Sequence, residues 1–104
     1  MAFDLDEGLL QGIRDIGQKY AIEKIVLFGS RARGDHRPGS DIDLAIFLLP
    51  ELSSRGRLTS DFEDLNTLLK IDVIFINKNI DVKLMENIQK EGVTLYERAI
   101  HKSR

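Results

Sequence analysis

The chain has 104 residues, a net charge of -2, 42% hydrophobic and 31% charged residues, and no cysteine. This is the composition of one ordinary globular domain spanning residues 1–104, and it excludes disulfides, zinc–thiolate sites and thiol catalysis. The longest apolar stretch, Leu44 to Pro50, is far shorter than the roughly 20 residues a membrane-spanning helix needs. The acidic start MAFDLDEGLL is not the basic opening of a signal peptide, so a cytoplasmic address is expected. Scattered basic residues do not form the concentrated face that a nucleic acid would require.

In chain order, Asp6 to Lys19 carries apolar residues at Leu9, Leu10, Ile13 and Ile16, a helical spacing that Gly12 and Gly17 weaken. IEKIVLFG, residues 22–29, is β-branched and aromatic, closes on glycine and reads as a buried strand. The loop GSRARGDHRPGS follows, and then a second strand, DIDLAIFLL, that ends at Pro50. Glu51 to Arg57 reads as a loop, and Ser60 with Glu63 forms a capping-box pattern for a helix whose stripe is Phe62, Leu65, Leu68 and Leu69. IDVIFIN, residues 71–77, is a third strand. Asp81 is placed to cap a helix carrying Val82, Met85 and Ile88 that ends at Gly92, and VTLY, residues 93–96, reads as a short strand. Continuous apolar strands interleaved with helices predict an α/β domain, without defining strand directions.

The chemistry-bearing residues lie where the strands begin. Strand alternation puts Asp41, Asp43, Ala45 and Phe47 on one side, with Ile42, Leu44, Ile46 and Leu48 on the other. Carboxylates at i and i+2 are about 6.5 Å apart at the backbone, close enough to share or flank hard cations. Asp72 stands opposite Ile71, Val73 and Phe75 on the third strand, so three carboxylates gather if the two strands are neighbours. Single aspartates also begin strands after turns for solubility, but three in apolar strands repel unless a cation binds them. Oxygen-only donors make Mg2+ the expected ion.

Gly29 and Ser30 follow the first strand directly, where a turn presents backbone N–H groups and a hydroxyl to a phosphate. Arg31 and Arg33 add forked positive charge suited to a phosphate, and equally well stay solvated or pair with Asp35 or Glu63. A lone Gly-Ser is often only a turn. Its distance from the aspartate pair is more informative, with ten residues between Ser30 and Asp41.

GSRARGDHRPGSDIDLAIF resembles the G-S-x10-D-x-D signature of the DNA-polymerase-beta-like nucleotidyltransferases, with Asp72 of IDVIFIN in the place of their third acid. The likeness extends to the closing IQKEGVTLYER and is nearest to the MNT group, the small MntA-like proteins encoded beside HEPN-domain ribonuclease toxins. It implies a small mixed β-sheet with helices packed against it. Asp41, Asp43 and Asp72 would hold two Mg2+ ions, and Gly29 and Ser30 would grip the β- and γ-phosphates of ATP, assisted by Arg31 and Arg33. It also implies transfer of AMP to a tyrosine of a HEPN-type toxin by an antitoxin. Larger relatives add a helical domain, so a partner protein or a second copy of this chain is expected to complete the pocket. Two other readings stay open: transfer to a small-molecule hydroxyl, and neutralisation of a toxin by binding alone. His36 and His101 read as surface residues, Tyr20 and Tyr96 as core edges, and Lys70 as solvent-exposed.

Overall fold

The computed structural model describes residues 5–20, 22–35, 37, 39–48, 55–65, 67–76 and 81–98. The expectations for His36, His101 and Glu51 to Ser54 lie outside these residues.

Helix α1 (Glu7–Lys19) begins at Asp6, whose carboxylate accepts from the Leu9 amide at 3.2 Å. The predicted stripe Leu9, Leu10, Ile13 and Ile16 is buried. Gly17 has a packing role in addition to its helical cost. A Cβ there would stand 2.6 Å from the Tyr96 ring, so glycine lets α1 lie directly on the sheet. The last turn is closed from a distant strand: the Arg98 guanidinium donates to the carbonyls of Gly17, Tyr20 and Ile22 at 3.3, 2.6 and 3.1 Å.

The sheet has the order β3-β2-β1-β4, with β1 Ile22–Phe28, β2 Ile42–Leu48, β3 Ile71–Ile76 and β4 Val93–Glu97. Strand β1 is antiparallel to both β2 and β4, whereas β2 and β3 are parallel. The hairpin-like β1–β2 step contains the one-turn helix α2 (Ser30–Arg33), where a plain loop was expected. The parallel step requires a crossover, which α3 (Arg55–Glu63) provides.

The start of α3 differs from the sequence reading. The helix opens at Arg55, so Gly56 and Arg57 are helical and Ser60 lies inside it. Ser60 does not cap it; its carbonyl accepts from the Asp64 amide at 2.9 Å. The buried residues are Leu58 and Phe62, both 0% exposed, while Leu68 is fully exposed. The four-residue spacing of Leu58 and Phe62 places both on one side of α3, facing α1 and β3.

Strand alternation divides the core in two. Ile42, Leu44 and Ile46 join Ile22, Ile25, Leu27, α1 and α3 on one face. Ala45 joins Val26, Phe28 and Ile88 of α4 (Val82–Glu91) on the other, flanked by Phe47, Ile74, Ile76 and Leu84. Burying each large aliphatic or aromatic side chain stabilises the fold by about 1.5–3 kcal/mol relative to leaving it in water. The first face holds more such residues and carries most of the stability.

Candidate active site

Asp43 is at the centre of the site. It pairs across the sheet with Phe28 of β1 on one side and with Asp72 of β3 on the other. Register-paired residues of neighbouring strands are about 4.8 Å apart at the backbone. Alternation points both aspartates toward the face of Ala45 and Ile74. The gathering of carboxylates that depended on strand adjacency is therefore present for this pair. Asp41 sits exposed just before β2, near enough for its charge to act on Asp43, but it does not close with Asp43 and Asp72 into one three-carboxylate cluster.

The electrostatics of the set agree with this crowding. The pKa of Asp43 is raised, first by burial, then by the neighbouring charges of Asp72 and Asp41, with Arg33 opposing the shift. Ionising Asp43 therefore costs more than ionising an ordinary aspartate, and a cation at the pair would offset that cost. Lys70, two residues before Asp72, places its ammonium 3.6 Å from a carboxylate oxygen of Asp72. The sequence reading of Lys70 as exposed holds, since its side chain is 72% accessible, but the ion pair was missed. The signal was the same two-residue alternation used to place the aspartates.

The turn above Asp43 is built around Gly29. Its φ of 80 and ψ of -157 belong to backbone that L side chains avoid, and a Cβ would stand 2.5 Å from the Asp43 carboxylate. Glycine is needed there for both conformation and space. Ser30 opens α2, and its carbonyl accepts from Gly34 at 2.9 Å and Asp35 at 3.1 Å. The turn is thereby closed on itself beside the acidic pair.

The two arginines are tied into this frame. Arg31 is only 4% exposed and donates from Nε to the Ser40 carbonyl at 3.2 Å, bracing the loop that delivers Asp41. Arg33 donates to Asp35 and to Glu91 of α4, both at 3.1 Å. Pairing with Asp35 was one of the two options in the sequence; Glu91 was not foreseen, and a contact across 58 residues leaves no local trace.

Among the described residues, no group of three or more His, Cys, Asp or Glu side chains stands close enough to hold a metal ion alone. Mg2+ does not need such a cage: it characteristically takes one or two carboxylates, several waters and the oxygens of a substrate phosphate. Two register-paired aspartates beside a glycine turn fit that demand, and the hard-oxygen donor set selects for it.

This combination of a mixed sheet, a Gly-Ser turn at the end of the first strand and paired acids on the next two strands defines a nucleotidyltransferase fold. Residues 11–101 match the polymerase beta nucleotidyltransferase family, and the chain belongs to that family of enzymes. It is 33% identical over 105 residues to the "Putative protein adenylyltransferase" of Methanocaldococcus jannaschii, covering 88% of this chain and 97% of that one. Solved structures share the fold. A toxin–antitoxin complex with AMP-PNP superposes at a TM-score of 0.68 and 21% identity, covering 86% of this chain and 73% of that chain. The tri-AMPylated Shewanella oneidensis HEPN toxin in complex with MNT antitoxin gives 0.61 and 19%, covering 86% and 71%.

Proposed function

We propose that this protein transfers AMP from ATP to a hydroxyl of a partner protein, a tyrosine of a HEPN-type RNase toxin, and so acts as its antitoxin. The observation that carries the reading is the register pairing of Asp43 with Asp72 beneath the Gly29 turn. The adenylyltransferase name of the M. jannaschii relative supports the donor and the class of acceptor. The AMP-PNP complex and the AMPylated HEPN toxin among the fold neighbours support the nucleotide and the partner.

In this reading Gly29 and Ser30 receive the β- and γ-phosphates, and Arg31 and Arg33 hold the turn and supply positive field. Asp41, Asp43 and Asp72 would hold two Mg2+ ions, which would neutralise the triphosphate and polarise the phosphorus under attack. Asp72 lies nearest the acceptor and assists loss of its hydroxyl proton. The acceptor oxygen bonds to the α-phosphorus, the bond from that phosphorus to the bridging oxygen breaks, and pyrophosphate leaves. Positioning and electrostatic stabilisation supply most of the acceleration. A cytoplasmic location fits ATP as donor in this reading; no described helix is long and apolar enough to cross a membrane.

The test is to incubate the protein and a HEPN-type partner with ATP labelled in either the α- or the γ-phosphate. The reading expects α-label, and no γ-label, fixed covalently to a partner tyrosine. A partner that binds firmly yet gains no label would instead establish neutralisation by contact.

A further inference from the structure

The pairing of Lys70 with Asp72 has a consequence for how the site is loaded. Residues 70 and 72 lie on the same side of the strand, because side chains alternate with a period of two. The backbone holds this geometry: the Lys70 carbonyl accepts from the Ile42 amide at 2.8 Å, which locks the start of β3 to the start of β2. The ammonium then rests 3.6 Å from the Asp72 carboxylate, with the lysine side chain 72% and the aspartate 41% exposed. On the far side of Asp72, across the register pair, stands the partly buried Asp43. An ammonium offers a point charge on a flexible stem, easily withdrawn into water, which a bidentate guanidinium is not.

We propose that Lys70 is a positioning residue, an internal counter-ion that occupies Asp72 until a divalent cation displaces it. This rests on reading Asp43 and Asp72 as cation ligands. The lysine relieves repulsion between the two carboxylates while the site is open, so the empty pair is tolerated by the fold. It also competes with the incoming cation, which makes the site a poor trap for free metal and favours loading together with a triphosphate.

The experiment is a Mn2+ titration of the protein without nucleotide, followed by electron paramagnetic resonance, for wild type, Lys70→Gln, Lys70→Arg and Asp43→Asn. Removing the competing charge should tighten Mn2+ binding by about three- to fivefold, the scale of one exposed ion pair. Lys70→Arg should bind Mn2+ no more tightly than wild type, because the competing charge is kept and a guanidinium is less readily withdrawn. Transfer by Lys70→Gln should saturate at lower metal concentration. If Lys70→Gln binds Mn2+ no more tightly than wild type, while Asp43→Asn weakens binding, the counter-ion role is overturned and the cation reading stands. If Asp43→Asn leaves Mn2+ binding unchanged, the cation reading falls, and the role of Lys70 with it. Circular dichroism of each variant separates these outcomes from loss of fold.

Discussion

Strand β2 presents two opposite environments in seven residues. Its even-numbered side chains, Ile42, Leu44 and Ile46, are 0% exposed beneath α1 and α3. Its odd-numbered side begins with Asp43, partly buried against other carboxylates, and becomes apolar only at Ala45, where α4 covers the sheet. One side supplies packing energy; the other spends part of it to hold like charges together. The strand period separates the two demands, so the acidic pair can be altered without touching the residues that stabilise the fold.

The comparison is broken most sharply by Asp43→Asn. Transfer should fall by about a thousandfold or more, because a positioned charge at the reacting centre is lost. The same change should raise the thermal unfolding midpoint at neutral pH, since a desolvated and repelled carboxylate disappears. The pH dependence gives the sign independently. Asp43 binds its proton more readily in the fold than in the unfolded chain. Its contribution therefore favours folding below the ordinary aspartate pKa and is lost as pH rises through the raised value. Differential scanning calorimetry across that window should show wild type losing stability relative to Asp43→Asn as pH increases.

The other side of β2 is probed by Phe62→Ala, which empties a 0% exposed position of α3. A loss of about 3–5 kcal/mol is expected in denaturant unfolding, with activity per folded molecule retained. Gly29→Ala tests the seam between the sides. It should cost about 1–3 kcal/mol for a positive-φ backbone open essentially only to glycine, and transfer about 100-fold, because the new methyl displaces Asp43. The smallest effect belongs to Glu91→Gln, which removes one of the two carboxylates holding Arg33. We expect KM for the nucleotide to rise about twofold with kcat unchanged, as for other exposed ion pairs.

The same division governs what could be read from the sequence. Asp41, Asp43 and Asp72 stand out because each interrupts or opens an apolar strand, and strand alternation is a strictly local rule. The adjacency of β2 and β3 is not local. It depends on the α3 crossover and on the lock between Ile42 and Lys70, so the meeting of Asp43 with Asp72 came only from family likeness. Helix α3 was misplaced because Ser60 and Glu63 mimic a cap, while the true opening turn contains Gly56, a poor helix former. Its position is decided by burial of Leu58 and Phe62, a tertiary effect that outweighs the capping signal. Helix α2 has four residues, too few for any period to register. Asp35, two residues from Arg33, is a partner the sequence offers, whereas the Ser40 carbonyl for Arg31 and Glu91 for Arg33 leave no local signal.

The most direct test of the central claim is intact mass spectrometry of a HEPN-type partner after incubation with this protein, Mg2+ and ATP. An Asp43→Asn control with verified fold would run beside it. The account predicts a mass gain of one or more AMP units with wild type and none with the control. An equal gain with both proteins would contradict it, because the acidic pair at the head of β2 and β3 would then not be the centre of the reaction.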